Sequence, residues 1–155
     1  MNERIMVNTA DFAIGKAPQV LVTLGVGSCV AICLYEKRLK IGALLHIMLP
    51  IYLGGSSPSE LNPLRFADTA LGLAVAELGK LGVVKEQLVA KLVGGAQMFK
   101  AFGPSDDIGA KNVEQVERIL GVLGIPIEGT DLGGNIGRSL EFDLESGLVK
   151  TFTKV

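Results

Sequence analysis

The stretch "QVLVTLGVGSCVAICLYEKRLKIGALLHIMLP" (Gln19–Pro50) decides how this chain is read. It contains three apolar runs rich in β-branched residues: Gln19–Val26, Cys29–Glu36 and Ile41–Pro50. A Gly-Val-Gly-Ser turn parts the first two, and the charged Lys37–Lys40 parts the second from the third. Short apolar runs bounded by glycine, serine and charge are strand signals, and Pro50 stops the last of them. Strands this apolar need cover on both faces, so helices or a second sheet must lie to either side.

Outward from these strands, "YLGGSSPSE" (Tyr52–Glu60) reads as a polar loop ending at Asn62-Pro63, an N-cap followed by proline at the first helical position. Leu64, Ala67, Leu71, Ala74, Leu78 and Leu81 then recur every three or four residues, the spacing of one helix face, with Arg65, Asp68 and Lys80 away from it. "QLVAKLVGG" reads as a strand running into Gly94-Gly95. A second helix turns Val113, Val116, Ile119, Leu120 and Leu123 inward and Glu114, Glu117 and Arg118 outward, with Gly124 suited to its C-terminal cap. "IPIEGTDLGG" and "SLEFDLESGLVKTF" close the chain as strands, the latter with a hairpin signal at Ser146-Gly147. Strands precede helices with no steady βαβ alternation, which predicts an α+β fold with mixed sheets. The Gly-Gly pairs at 94–95 and 133–134, each ending a strand, form a faint internal echo.

The 155 residues fit one domain spanning 1–155, long enough to bury roughly 70% of the unfolded surface. Apolar residues make up 48% and charged ones 20%, which excludes a disordered chain. A net charge of −1 without a Lys/Arg stripe argues against nucleic acid or an anionic membrane as partner. The charge-poor windows Ala17–Tyr35 and Ile41–Ser59 are broken by glycine, serine and proline, so membrane insertion is not expected. The start "MNERIMVNTADF" has no apolar h-region, and the cytoplasm is the expected compartment. Cys29 and Cys33, four apart on one strand face, are separated by about 13 Å and cannot bridge each other.

Three residues carry candidate chemistry. Cys29 has two readings: a small buried hydrophobe, the common fate of a free cysteine, or a nucleophile. Gly25, Gly27 and Ser28 favour the second by letting the backbone expose the sulfur and offer N–H groups as an oxyanion hole. Cys33 lacks that setting and reads as core. His46 is the sole histidine and lies in an apolar run, where a satisfied core imidazole is the ordinary outcome. A hairpin of Cys29–Glu36 with Leu39–Met48, looped at Lys37-Arg38, sets residue 29 opposite 46 and brings thiol and imidazole together. Thr23 reads as plain β-propensity or as a partner of that pair. A tight hairpin centred on Val26 sets it opposite Cys29, on the far side from His46, so either the strands are ordered otherwise or Thr23 does not orient the imidazole. No dinucleotide loop, Walker A motif or metal-spaced Cys/His set occurs, so no cofactor or metal is expected. "GGNIGR" (Gly133–Arg138) is either an anion loop or a glycine-rich turn.

In order along the chain, "TLGVGSCV", "GALLHIMLP", "RFADTA", "AKLVGGAQMF", "IGAKNV" and "DLGGNIGRSLEF" resemble the chemoreceptor glutamine deamidase family, CheD, from Val22 to Phe142. The resemblance implies a layered sandwich like that of bacterial toxin deamidases. It implies Cys29, His46 and Thr23 as the catalytic set, N–H groups at Gly27 and Ser28 as oxyanion donors, and hydrolysis of glutamine side chains through a cysteine thioester. The implied partners are the cytoplasmic helical bundle of chemoreceptors and a CheC-type chemotaxis phosphatase. Lys111 stands in "IGAKN" where the family pattern leads one to expect arginine, and the two do not interchange at a bidentate contact. A regulatory binding module and a general cysteine amidase or esterase are the competing readings.

Overall fold

The computed structural model describes residues 2–48, 67–98 and 107–153. In chain order these form β1 (Arg4–Met6), β2 (Asp11–Lys16), β3 (Val20–Val26), β4 (Val30–Glu36), β5 (Ile41–Ile47), α1 (Ala67–Lys80), β6 (Leu88–Gly94), α2 (Ile108–Leu123), β7 (Ile127–Leu132), β8 (Arg138–Asp143) and β9 (Val149–Phe152). They build two mixed sheets, ordered β1-β3-β8-β9 and β2-β5-β4-β6-β7. The pairs β1/β3 and β6/β7 are parallel and the others antiparallel.

Side-chain parity explains the layering. Along β4, Val30, Ile32 and Leu34 pack with Ala70, Leu71, Ala74 and Leu78 of α1 and Val116 and Leu120 of α2. The alternate residues Ala31, Cys33 and Tyr35 pack with Leu21, Leu140 and Phe142 of the smaller sheet. Every residue of β4 and β5 is buried, as strands sandwiched between a sheet and a helical layer must be. The result is an α+β sandwich of sheet, sheet and helices. Asp107 caps α2, its carboxylate accepting from the Ala110 N–H at 2.9 Å, and Gly124 ends the helix in the left-handed conformation (φ 75°).

Four expectations are corrected. The β4–β5 loop holds four residues, not two: Glu36 pairs with Ile41, and Ala31 rather than Cys29 sits opposite His46. The Glu36 carboxylate accepts from the Arg38 and Leu39 N–H groups, its carbonyl accepts from Lys40, and Lys40 takes a positive φ of 57°. That closure suits Lys37–Lys40 where a two-residue turn did not. Second, no hairpin turns at Val26. The glycine there serves a bulge: Thr23 pairs with Leu140 and Val26 with Arg138, and Gly25 absorbs the extra residue at φ 66°. β3 then crosses to the other sheet, so β3 and β4 face each other instead of pairing. Third, β1 and β2 are strands where none was expected; they are short, half-polar edges with little hydrophobic signal. Fourth, Leu81 is exposed, because α1 stops one residue before it. Pro50, Tyr52–Glu60, Asn62-Pro63, Leu64 and Arg65 lie outside the described residues.

Candidate active site

His46 sits in β5, whose backbone is laddered on both sides by β2 and β4, so its Cα position is rigidly set. Its side chain points into the space between the sheets and is 1% exposed. Thr23 reaches the same space from β3 of the opposite sheet and is fully buried. The Thr23 Oγ1 and His46 Nδ1 lie 2.8 Å apart. The two-hairpin expectation had separated them; the crossover of β3 to the other sheet brings them together.

The tautomer follows from a second contact. The Thr23 hydroxyl donates to the Val7 carbonyl at 2.7 Å. A carbonyl only accepts, so the single hydroxyl proton is committed to Val7. Nδ1 must therefore carry a proton and donate it to Thr23, which leaves Nε2 with its lone pair. Nε2 is buried and has no hydrogen-bond partner among the described residues. Burial also pushes the imidazole down from 6.5 to about 4, so at neutral pH the ring is uncharged. The sandwich thus holds a neutral imidazole with one ring nitrogen anchored and the other bare.

Cys29 precedes β4 and is half-buried, packed against the inter-sheet core. The register places it two residues beyond Ala31, on the face that carries His46 and on the diagonal to it. A register change of two residues preserves the face, so the corrected loop length leaves Cys29 on the histidine side. The peptide carrying it is tied back at three successive carbonyls. Ala96 N–H donates to Gly27 O at 2.9 Å, the Asn112 amide to Ser28 O at 3.0 Å, and Gly95 N–H to Cys29 O at 2.8 Å. Gly94 is needed here: at φ 116°, a Cβ on it would stand 2.4 Å from Cys29 O. The Gly-Gly echo has a structural meaning, since β6 and β7 end side by side and Gly133 N–H donates to Gly94 O at 2.9 Å.

Cys33 lies 1% exposed between the sheets, and burial pushes its thiol far above the ordinary range. Neither cysteine is in a disulfide. "GGNIGR" is a glycine-rich turn: the Arg138 guanidinium donates to the carbonyls of Gly94, Asp131 and Gly133. Lys111 is exposed on α2. Among the described residues, no three His, Cys, Asp or Glu side chains cluster as a metal site. A cavity of about 300 Å³ lies at the other end of β4, lined by Cys33, Tyr35 and Lys91; its rim lysines 37 and 40 pair with Glu128 and Glu145. Asn112 and Val7 were not singled out from sequence. Asn112 carried a signal, a polar residue three after Gly109 and four before Val116 on the buried arc of α2. Val7 acts through its carbonyl and carried none.

Residues 48–153 match the family described as CheD chemotactic sensory transduction. The chain is similar to the "Probable chemoreceptor glutamine deamidase CheD" of Syntrophomonas wolfei, 46% identical over 155 residues, 97% of this chain and 95% of the relative. That of Desulfitobacterium hafniense strain DCB-2 is 45% identical over 155 residues, 99% of this chain and 95% of the relative. The "Chemoreceptor glutamine deamidase CheD" of Thermotoga maritima is 44% identical over 142 residues, 92% of this chain and 87% of the relative. No described helix is long and apolar enough to cross a membrane.

Proposed function

The chain belongs to the CheD family, and on that premise we propose that it deamidates glutamine side chains of chemoreceptor cytoplasmic domains, with Cys29 as nucleophile. The observation that carries the reading is the Thr23–His46 bond across the two sheets, which leaves Nε2 as a bare base on the face that carries Cys29.

A side-chain amide is a poor electrophile, and a covalent intermediate splits its hydrolysis into two easier steps. His46 Nε2 takes the Cys29 proton as the sulfur attacks the glutamine Cδ. N–H groups at Gly27 and Ser28 hold the oxyanion, a role in which one donor contributes about 10²–10³ in rate. The C–N bond breaks, His46 returns its proton to the leaving nitrogen, and ammonia departs from a thioester. Water then gives a proton to Nε2 and attacks the thioester carbonyl; the C–S bond breaks, His46 passes that proton to the Cys29 sulfur, and glutamate is released. Each turnover adds one negative charge to the receptor helix. Thr23 holds the imidazole in the required tautomer throughout. The single domain works without a metal or cofactor in this scheme. Its place is the cytoplasm, where the receptor bundle lies, and the family resemblance adds a CheC-type phosphatase as binding partner.

The test is mass spectrometry of receptor cytoplasmic fragments incubated with the protein. The expected result is a gain of about one dalton at glutamines with matching ammonia release, and loss of both in Cys29→Ala with the fold retained. Full activity in that variant would end the nucleophile assignment and point to a different nucleophile.

A further inference from the structure

We propose that Asn112 is a positioning residue that sets Cys29 against His46. The inference rests on the reading of those two residues as a working pair. Asn112 lies on α2, fully buried, and its Nδ2 uses both protons. One goes to Ser28 O at 3.0 Å, the residue before Cys29; the other goes to Met48 O at 2.7 Å, two residues after His46. The other ties on the Cys29 loop, from Gly95 and Ala96, bind it to the end of β6. The Asn112 side chain binds both the nucleophile's loop and the strand of the base.

Both partners being carbonyls fixes the amide orientation, since a flipped amide would set oxygen against oxygen. It also leaves Oδ1 buried and without a partner among the described residues. An unpartnered buried acceptor is destabilising, a cost that the two donated bonds to Ser28 O and Met48 O offset. An amide that gives one proton to each of two segments, and so fixes the distance between them, accounts for the asparagine. Gly109 supports the arrangement: a Cβ on it would stand 2.4 Å from Ala96 O and 2.5 Å from Gly95 O, so its hydrogen lets α2 press onto the same loop system and deliver Asn112 to it. Asp at 112 has the same shape but, ionised, no donor at all for the two carbonyls, and Leu has similar bulk and none.

The experiment is a double-mutant cycle on Cys29 alkylation by iodoacetamide, in a Cys33→Ala background so that Cys29 is the only thiol. With Asn112 in place, His46→Ala is expected to slow alkylation at pH 7 about tenfold. In N112D and N112L backgrounds, shown folded by circular dichroism, the same change is expected to matter less than about twofold, because the pair is already misaligned. An undiminished His46 effect in either folded variant would overturn the proposal, since a purely structural residue gives additive effects. If N112D does not fold, N112L carries the cycle. Failure of both to fold overturns it too, by making Asn112 a residue of the core and not of the site. If His46→Ala has no effect even with Asn112 present, the Cys29–His46 pairing itself fails and the proposal falls with it, an outcome the cycle distinguishes from failure of Asn112 alone.

Discussion

Thr23→Val replaces a hydroxyl with a methyl of similar size, so it removes the polar link while keeping the packing between the sheets. Two hydrogen bonds go: the donation to Val7 O at 2.7 Å and the acceptance from His46 Nδ1 at 2.8 Å. Both abandoned groups are in the interior, Val7 at 2% exposure and His46 at 1%. A buried polar group left unpartnered costs about 1–3 kcal/mol, so the two together cost about 2–6 kcal/mol of stability. The catalytic effect is separate. The bond to Thr23 favours the Nδ1-protonated ring by about 1–2 kcal/mol, and losing it shifts the tautomer ratio against the bare-Nε2 form by up to about five- to thirtyfold. That is the expected fall in kcat, with KM little changed, because Thr23 is fully buried between the sheets and does not reach the substrate. Thr23→Ser keeps the hydroxyl and loses only a methyl, so its kcat is expected within about threefold of wild type. The assay is ammonia release from a receptor fragment at a temperature where circular dichroism shows each variant folded. A folded Thr23→Val with wild-type kcat, or a Ser variant as impaired as the Val one, would refute the tautomer argument.

Four further outcomes follow from single features. Cys33→Ala is expected to leave kcat unchanged and cost about 1 kcal/mol in urea unfolding, since Cys33 is a packed, protonated core thiol; a large fall in kcat would move the chemistry toward position 33. His46 has a folded pKa of about 4 against 6.5 unfolded, so between those values the unfolded chain binds a proton that the folded chain does not. Its contribution is complete above pH 6.5 and falls by about 3 kcal/mol toward pH 4; urea midpoints of His46→Leu lack this slope, and identical slopes in the two proteins would refute it. Gly94→Ala places a Cβ 2.4 Å from Cys29 O at a φ of 116° and is expected to cost at least about 2 kcal/mol and most of the activity, while Gly72→Ala, in open space on α1, is expected to gain about 0.5–1 kcal/mol in thermal unfolding; a neutral Gly94→Ala would show that the close approach is not needed.

What the sequence made legible was what period and parity control. The apolar runs became β3, β4 and β5, and the face of each side chain survived the wrong loop length because the error was an even number of residues. The inward stripe of α2 and its glycine cap were readable for the same reason, with the helix spacing in place of the strand one. What was not legible was which sheet each strand joins. Sequence neighbours usually pair, so β3 and β4 invite a hairpin. The bulge at Leu24–Gly25 uses the same glycine that a turn would, and nothing local tells them apart. Partners that act through the backbone, such as Val7 O, leave no trace in residue type at all. Those were the contacts that joined Thr23 to His46.

The site lies between the sheets for a physical reason. A polar group in that interior has to be paired, and its partner must come from the opposite layer or from an edge strand. Thr23 satisfies Nδ1 from the opposite sheet and is itself satisfied by the residue after β1, so two of the three polar positions in this group are closed. The third, Nε2, is buried and left open among the described residues. Apolar side chains at 23 and 46 would remove the unpaired nitrogen with the imidazole, but would leave the Val7 carbonyl without its donor. In the proposed reaction the open nitrogen is the acceptor for the Cys29 proton, and the three tied carbonyls around Cys29 hold its loop on the face that carries His46.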